Sequence, residues 1–426
     1  MFVVRSIELY LRSGGKFSFV MPHGVMSRRP HVGFRTGNWS GNSTGTEFTD
    51  FKVQFEQSWD THLTPTGFPM ASCVIHGRFN PGPAVAHSDQ VQIWSATTLD
   101  ASLHWEEAEP FFTVSPGVVI AVSDDENRPV SPYKKSFRQG AIIVPRMVFM
   151  IERQAASALG AGAGRTPIKS RKSSVENPPY RDFDAITGTV ETEYIRSVLV
   201  GDSVAPYRVI RPVEAVIPMD DSAILTPAQV AASPDLAAWW AKGEEIWKRG
   251  RAASENLDLL ERFDYNAQMS SQLPLKSNRV VYTKSGSNLV AARIDDPKAV
   301  VDHTLYWASA ASQDEARYLV GILNSETLRA RVAPLQPIGN FGPRHFDKYV
   351  FEVPFGAFDA GNVDHKKLVE LVTQAEANAA GVTVQGLTGI MARRAVVAAV
   401  AVGGLAGRIE AAVSKILPQT TGVIEG

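Results

Sequence analysis

Residues 315–359 read EARYLVGILNSETLRARVAPLQPIGNFGPRHFDKYVFEVPFGAFD, and this stretch decides how the chain is interpreted. Apolar residues at helical spacing predict a helix over residues 315–323, which ends at Asn324 and Ser325. A basic turn comes next, and a β-rich segment is predicted to run to Pro354. Glycines make the intervening loop adaptable, and its polar side chains are candidates for contacting a partner: Gln336, Asn340, Arg344, His345 and Lys348.

The composition is typical of a soluble globular protein. The chain has 426 residues, of which 44% are hydrophobic and 20% charged, and this length allows two or three domains. Its 43 lysines and arginines against 44 acids give a net charge of -1, so a nucleic-acid surface would require local clustering of cations. The single cysteine, Cys73, excludes an internal disulfide framework and a thiolate-only metal site.

The apolar segments do not predict a membrane protein. Arg5 and Glu8 interrupt the apolar N-terminus, so no secretory signal is expected. The apolar stretch at residues 395–407 is shorter than the roughly 20 residues that a membrane-spanning helix needs. We therefore expect a cytoplasmic protein with no membrane partner.

The first 130 residues predict part of a doubly wound α/β sheet. An apolar helix is expected over residues 2–11, followed by a Gly14-Gly15 turn and a buried strand at Lys16–Pro22. Further strands are expected at residues 71–75 and 91–94, and a helix at about residues 99–112. Parallel strands of this kind need neighbours on both sides, and the preceding residues supply too few. The simplest interpretation is that the chain starts inside a domain.

The rest of the chain predicts a mixed α/β domain at residues 131–360 and a helical tail at residues 361–426. Residues 133–153 are basic and predicted to be β-rich. Between Lys134 and Lys172 there are nine lysines and arginines and one acid, Glu152. Strands are predicted near residues 195–200, 213–218, 279–283, 289–294 and 300–307, with a helical block over residues 226–263. Ser233 before Pro234 predicts a helix start.

Two groups of cations are candidates for contacting DNA. Phosphate contacts would come from the first group and would be sequence-independent: Lys134, Lys135, Arg138 and Arg146. The alternative is a solvated basic face on a β-domain. In the second group, Arg344 is the residue type that most often reads guanine in the major groove, with His345 and Lys348 beside it. The alternative there is a structural salt bridge at a domain junction.

Several blocks in this order resemble adenine-specific DNA methyltransferases of restriction-modification systems. They are KFSFVMPHGVM at residues 16–26, FPMASCVI at 68–75, FRQGAIIVPR at 137–146, the P-Y-R…P pattern within 204–218, and the "LNS", "RH" and "PF" elements of 315–359. The resemblance implies transfer of a methyl group from S-adenosylmethionine to a flipped adenine. It also implies that residues 131–360 form the target-recognition domain, which chooses the DNA site.

Asn177-Pro178-Pro179-Tyr180 matches the catalytic tetrapeptide of that family letter for letter. In the family it lies at the exit of an apolar strand, but here KSRKSSVE precedes it at residues 169–176. The glycine-rich residues 160–164 lie too close upstream to be the family's cofactor loop. We therefore interpret the tetrapeptide as an exposed loop and expect no cofactor site or catalytic residue in this chain.

The resemblance implies that this chain is the C-terminal part of an adenine-specific methyltransferase. S-adenosylmethionine would serve the complete enzyme, while this chain alone would bind double-stranded DNA without methylating it. The alternative is a stand-alone DNA-recognition or assembly subunit that complements a separate catalytic methyltransferase chain. A third alternative is an α/β binding protein unrelated to methyltransferases, which would show no affinity for DNA at low salt.

Overall fold

The computed structural model describes residues 2–41, 49–64, 71–96, 102–119, 129–156, 160, 162–173, 176–286, 288–336, 338–339, 342–343 and 345–417. The chain divides into two units. The first contains Met1–Pro129 and Ala330–His345, and the second contains Val130–Arg329 and Phe346–Gly426. The predicted mixed α/β class with a helical C-terminal tail is confirmed.

The first unit is built around one mixed sheet. Its helices are α1 (Phe2–Tyr10), α2 (Gly24–Ser27), α3 (Val32–Arg35) and α4 (Trp105–Ala108). Its strands are β1 (Lys16–Pro22), β2 (Asn38–Gly41), β3 (Thr49–Phe55), β4 (Trp59–Leu63), β5 (Ser72–Phe79), β6 (Gln90–Ala96) and β7 (Phe112–Val118). The strand order is β2-β3-β5-β4-β6-β7, with β1 on β5, and only the β4–β6 pair is parallel among these strands.

The position of β1 corrects the expectation of a buried parallel strand. β1 pairs antiparallel with β5, from Lys16 opposite Arg78 to Pro22 opposite Ser72. Its side chains alternate, with Phe17 buried and Val20 55% exposed. The alternation of polar and apolar residues along KFSFVMP gives the strand one core face and one open face, as antiparallel sheets allow. Among the described strands, only β5 pairs with β1.

The second unit contains several small sheets and most of the helices. Its helices are α5 (Arg146–Phe149), α6 (Pro227–Ala232), α7 (Pro234–Gly250), α8 (Leu259–Phe263), α9 (Gln313–Leu323), α10 (Glu326–Val332, whose last residues belong to the first unit), α11 (Val363–Ala380), α12 (Gly389–Ala401) and α13 (Leu405–Ile416). The remaining strands are β8 (Arg138–Gln139), β9 (Ile151–Arg153), β10 (Arg165–Ser170), β11 (Thr187–Glu191), β12 (Ile195–Leu199), β13 (Val204–Ala205), β14 (Arg208–Val209), β15 (Val213–Val216), β16 (Arg279–Thr283), β17 (Ala291–Ile294), β18 (Val300–Val301), β19 (Leu305–Ser309), β20 (Ile338–Gly339) and β21 (Gly342–Pro343). The β20–β21 hairpin belongs to the first unit.

One sheet of the second unit positions the candidate interface. Its strand order is β17-β16-β19-β8, and all three pairs are antiparallel. The apolar run RVVYT of β16 is buried along its whole length. Strands pair with both of its edges, and α9 packs against it. The second sheet, β15-β12-β18, packs in the larger core with Trp239, Trp240 and Trp247 of α7.

The helical tail lies in the second unit, where α11 contacts α9, α12 and α13. The stretch Gly389–Ile416 is long and apolar enough to cross a membrane by length and composition alone. It consists of two helices of 13 and 12 residues, which meet at Gly403 and Gly404, both with positive φ. Each helix is shorter than the roughly 20 residues that a span requires.

Three local predictions need correction. Residues 133–153 are not β-rich, because pairing there is limited to β8, β9 and isolated bridges at Ala141 and Met150, and Met147–Phe149 lie buried in the single turn of α5. The segment after Lys348 forms the 3-10 turn Tyr349–Phe351 instead of a strand. Pro110 ends the helix predicted over residues 99–112, because proline cannot donate a backbone hydrogen bond, and β7 begins at Phe112. Residues 97–101 lie outside the described residues.

The start of α7 is placed as predicted, but its cap differs. Ser233 is the N-cap residue and Pro234 is the first helical residue. The Ser233 side chain makes no capping hydrogen bond and pairs instead with the Tyr194 hydroxyl at 2.7 Å. Glu191 takes over the capping role, because its carboxylate accepts hydrogen bonds from the Asp235 and Leu236 backbone nitrogens.

Candidate nucleic-acid interface

A cavity of about 410 Å³ in the second unit brings together two of the predicted DNA-contacting cations, Arg138 and Lys348. Arg138 lies on β8, opposite Trp307 of β19. Neither cation has an acidic neighbour in the lining of this cavity. The lining residues are Arg138, Gln139, Asn266, Ala267, Gln268, Ser271, Tyr306 and Lys348.

Tyr306, which lines this cavity, belongs to a cluster of buried aromatic rings. Tyr306 is stacked on Tyr282 of β16, with ring centroids 5.4 Å apart and planes 9° apart. Phe137, immediately before Arg138, packs on Tyr282 and on Phe351 of the 3-10 turn that follows Lys348. The two cations are therefore attached to backbone segments that one aromatic cluster holds together.

The electrostatic environment of Lys348 favours an anion. Burial lowers the pKa of Lys348 below its usual 10.5, and the positive charges of Lys134 and Arg138 lower it further. The Lys348 ammonium donates a hydrogen bond to the Lys134 carbonyl at 3.1 Å. An anion such as a phosphate would relieve this repulsion between like charges.

The predicted phosphate-contacting residues differ in their availability. Lys135 and Arg138 are exposed and have no ion-pair partner within the described residues. Lys134 pairs with Glu352 at 2.6 Å, which neutralises part of its charge. Arg146 donates to Asp302 at 3.0 Å, and its side chain is only 15% exposed. Arg146 therefore balances a fully buried carboxylate, a role that the sequence did not indicate.

The other predicted DNA-contacting residues belong to the first unit. They are Gln336, Asn340, Arg344 and His345. His345 is exposed. Gln336 is 5% exposed, and its amide donates to the His345 carbonyl at 2.9 Å, so it positions the backbone beside His345. Asn340 and Arg344 lie outside the described residues.

In the tetrapeptide at residues 177–180, the first three residues are exposed and the last is buried. Asn177, Pro178 and Pro179 are exposed, as expected for a loop. Tyr180 corrects that expectation, because it is 8% exposed and its ring stacks on Trp247 with planes 6° apart. A ring held in this way is not free to stack on a flipped base. Glu176 anchors the loop by accepting hydrogen bonds from the Arg146 and Met147 backbone nitrogens.

The glycine-rich segment does not fit S-adenosylmethionine. Gly160, Gly162 and Gly164 have positive φ and lead into β10, which pairs antiparallel with β9 and β11. Nucleotide-type cofactors lie instead where a parallel strand turns into a helix N-terminus. We therefore derive no methyl-transfer step from these residues.

Several lining residues of the cavity had no signal in the sequence. Tyr306 lies in an apolar strand, and Asn266 and Gln268 follow α8 in a polar turn. Asn266 and Ala267 have φ of 56° and 54°, a conformation that non-glycine residues seldom adopt. Asparagine is one of the few side chains that tolerate it, which is the one weak local signal for this turn.

Restriction-modification enzymes are among the solved structures to which this chain is similar. No protein-family model and no curated protein matches the chain. The type IIL restriction-modification enzyme MmeI, solved in complex with DNA, is similar with a TM-score of 0.45 and 12% identity over 94% of this chain and 46% of that chain. The type IIG restriction endonuclease BpuSI has a TM-score of 0.30 and 12% identity over 96% of this chain and 48% of that chain. The chain thus spans about half the length of these structures, and both TM-scores are too low to establish a shared fold.

Proposed function

We propose that this chain binds double-stranded DNA and carries the target-recognition part of an adenine-specific DNA methyltransferase. The observation that supports this function best is the cavity in which Arg138 and Lys348 come together. Exposed Lys135 adds positive charge beside Arg138 on the same chain segment. A local group of cations on a chain of net charge -1 is the arrangement that selective attraction to phosphates requires.

The lining chemistry of the cavity also suits a nucleic acid. Arg138 and Lys348 can bind phosphate oxygens, while Asn266 and Gln139 offer amide groups that hydrogen-bond to sugars or base edges. Phosphate contacts would position the duplex, and other side chains of the chain would distinguish bases. Arg344 remains our candidate for reading a base.

The methyltransferase part of the proposal rests on the sequence blocks that resemble that family. S-adenosylmethionine and the catalytic residues would belong to the rest of the complete enzyme. We accordingly propose that the purified chain binds DNA and does not methylate it. Incorporation of a labelled methyl group into DNA by the purified chain would contradict the second statement.

The direct test is fluorescence anisotropy with a duplex oligonucleotide over a range of salt concentrations. The double variant Arg138→Ala, Lys348→Ala should weaken binding and reduce the slope of log K against log salt by about 2, because each phosphate contact contributes roughly 0.9. Lys366→Ala is the matched control, since it removes an exposed lysine from α11 in the helical tail.

The outcomes of this test are distinct. Loss of affinity in the double variant with an unchanged control supports the cavity as the DNA-binding site. Equal binding by all three proteins would place DNA elsewhere on the chain. If the wild-type chain does not bind duplex DNA at low salt, the proposed function is wrong.

A second candidate function is a DNA-recognition subunit that assembles with a separate catalytic methyltransferase chain. The observation that favours it is the open edge of β1, which has no second partner strand in the described part of the chain. The apolar side chain of Val20 on this strand is 55% exposed. An unpaired edge with apolar side chains is a template for pairing with another chain.

Sedimentation velocity of the isolated chain tests this second function. Without its partner, the β1 edge should pair with other copies and produce oligomers that grow with concentration. Val20→Lys should return the chain to a monomer, because charge on an edge strand opposes such pairing. Val363→Lys, the same change at a 78% exposed position of α11, should behave like the wild type. A wild-type chain that remains monomeric at all concentrations argues against assembly through β1.

A further inference from the structure

The sheet of the first unit places two histidines and an aspartate side by side. Asp60 of β4 and Met21 of β1 both lie opposite Cys73 of the central strand β5. His23 follows the end of β1 with helical backbone angles, and the pairing of β4 with β6 is irregular between Asp60 and Leu63. Both imidazoles turn toward the Asp60 carboxylate at these two irregular positions.

Direct hydrogen bonds join these three side chains. The His23 Nε2 atom lies 2.9 Å from Asp60 Oδ2, and the His62 Nδ1 atom lies 2.7 Å from Asp60 Oδ1. The His62 backbone nitrogen also donates to Asp60 Oδ1 at 3.1 Å. One nitrogen from each histidine and one oxygen from Asp60 lie within 4.8 Å of one another.

The carboxylate of Asp60 is buried without a permanent positive charge beside it. The Asp60 side chain is 4% exposed, and its ion pairs are with the two histidines. No lysine or arginine pairs with it within the described residues. Burying a carboxylate costs several kcal/mol unless a cation or several hydrogen bonds compensate for the lost water. Burial alone would raise the pKa of Asp60, but the hydrogen bonds from His23 and His62 outweigh burial and hold that pKa well below its usual range.

We propose that His23, Asp60 and His62 form a binding site for one divalent transition-metal ion of the Zn²⁺ class. Two imidazole nitrogens and one carboxylate oxygen are a ligand set that such ions prefer, whereas Mg²⁺ and Ca²⁺ prefer oxygen ligands alone. A tetrahedral ion with bonds of about 2.0–2.1 Å requires ligand atoms roughly 3.3 Å apart. The three ligand atoms lie within 4.8 Å of one another, so the side chains would have to draw closer together around the ion.

The site would leave one coordination position open. Three protein ligands leave the fourth tetrahedral position to water or to a small ligand. The His62 side chain is 19% exposed, while those of His23 and Asp60 are 4% exposed, so the ion would enter from the side of His62.

A bound ion would also connect strand ends that are distant in the sequence. His23 follows β1 directly, and its backbone nitrogen bonds to the Ala71 carbonyl at 2.9 Å. Asp60 and His62 belong to β4, on the opposite edge of β5 from β1. Because the unfolded chain lacks this preformed arrangement, ion binding should stabilise the folded first unit.

Titration calorimetry of the metal-free full-length chain with Zn²⁺ tests the proposal. The variants are His62→Ala, which changes the most exposed ligand, and Asp60→Asn, which preserves shape and removes the charge. His104→Asn is the matched control: His104 is an exposed histidine of the same unit that precedes α4, and asparagine also caps helices well. Circular dichroism establishes that each variant is folded.

The expected result is one Zn²⁺ per wild-type chain, a loss of at least tenfold in affinity in the two site variants, and no change in the control. Excess Mg²⁺ should not displace the ion, and Zn²⁺ should raise the melting temperature of the wild type but not of His62→Ala. Absence of Zn²⁺ binding by the wild type would overturn the proposal. Equal affinity in all four proteins would also overturn it, because the ion would then be held elsewhere.

Discussion

Asn324 attaches the end of α9 to the neighbouring sheet through a single side chain. Its Oδ1 atom accepts from the Ala291 backbone nitrogen at 2.9 Å, and its Nδ2 atom donates to the Ala291 and Val320 carbonyls. The Ala291 carbonyl has a second donor in the Tyr207 backbone nitrogen, whereas the Ala291 nitrogen depends on Asn324. The "LNS" element that suggested a family therefore has a structural role in this chain.

Replacing Asn324 with Ala should lower the free energy of unfolding by about 1–3 kcal/mol, because a buried backbone donor loses its partner. Asn324→Asp keeps the acceptor but turns a second carboxylate oxygen toward the Ala291 and Val320 carbonyls, so it should also be less stable than the wild type. Urea denaturation measures both. Equal stability of Asn324→Ala and the wild type would show that water replaces the side chain.

His87 makes the first unit sensitive to acid. It is buried, and one ring nitrogen, Nε2, lies 2.9 Å from the Ser58 hydroxyl. Burial lowers the pKa of His87 from 6.5 to about 4, and the positive charge of Arg35 contributes in the same direction. In the unfolded chain the imidazole takes up a proton near its usual pKa, so acid favours unfolding below that value.

We expect the free energy of unfolding to fall by about 2 kcal/mol between roughly pH 7.5 and pH 5 on account of His87. The loss should be complete once the pH falls through the folded-state pKa. His87→Gln keeps a hydrogen-bonding side chain that does not titrate, so its stability should change less over the same range. Parallel pH profiles for the two proteins would assign the acid sensitivity to other groups.

At the scale of the elements, Gly321 allows α9 and α11 to approach closely. A Cβ atom at Gly321 would lie 2.8 Å from a Val372 methyl and 2.9 Å from a Leu368 methyl. Both of these leucine and valine side chains are fully buried, so they have little room to move. The contact between helices thus depends on the absence of one side chain.

Gly321→Ala should lower the stability by about 1–2 kcal/mol, because overpacking outweighs the gain in helix propensity. Gly407→Ala is the matched control in α13, where a Cβ would meet nothing within 4 Å. It should raise the stability by up to about 1 kcal/mol. Thermal unfolding distinguishes the two, and a stabilising effect of Gly321→Ala would show that the helices can separate without cost.

Local patterns predicted the elements with uneven success. Apolar spacing correctly predicted the helix at Gln313–Leu323 and the strands at Ile195–Leu199 and Arg279–Thr283. Each of these elements buries either one continuous face or both of its faces, which leaves a clear apolar pattern in the sequence. β4, with the sequence WDTHL, was missed. Its polar residues carry no strand pattern, and Asp60 is buried there only because His23 and His62 satisfy its oxygens.

At the scale of the whole molecule, a net charge of -1 means that attraction to DNA must depend on a few cations. Lys348 is one of them, and its pKa lies below the usual 10.5. As the pH rises through this lowered pKa, the Lys348 ammonium loses its proton. The cavity then keeps only the positive charge of Arg138. DNA affinity should therefore fall earlier on the alkaline side than an ordinary lysine would produce.

The variant Lys348→Arg tests this expectation, because arginine keeps its charge throughout the accessible range. We expect it to bind DNA as the wild type does near neutral pH and to retain its affinity at about pH 10, where the wild type weakens. Anisotropy at constant ionic strength measures both. Identical alkaline profiles would mean that Lys348 does not contact the phosphates.

The amino-acid sequence by itself determined the mixed α/β class, the helical tail and the main apolar strands and helices. These features depend on interactions between residues that are close along the chain, namely apolar periodicity, turn residues and helix starts. The sequence also identified the cations of the candidate interface, because lysine and arginine are charged wherever they are placed.

Only the tertiary structure decided which of those residues can act together. Arg138 and Lys348 share a cavity because β8 pairs with β19 and the Tyr349–Phe351 turn packs on the same aromatic cluster. Arg146 is tied to Asp302, and Tyr180 is stacked on Trp247, although both looked available in the sequence. His23, Asp60 and His62 meet because β5 pairs with both β1 and β4. Strand register and burial are set by contacts between distant residues, which local patterns do not encode.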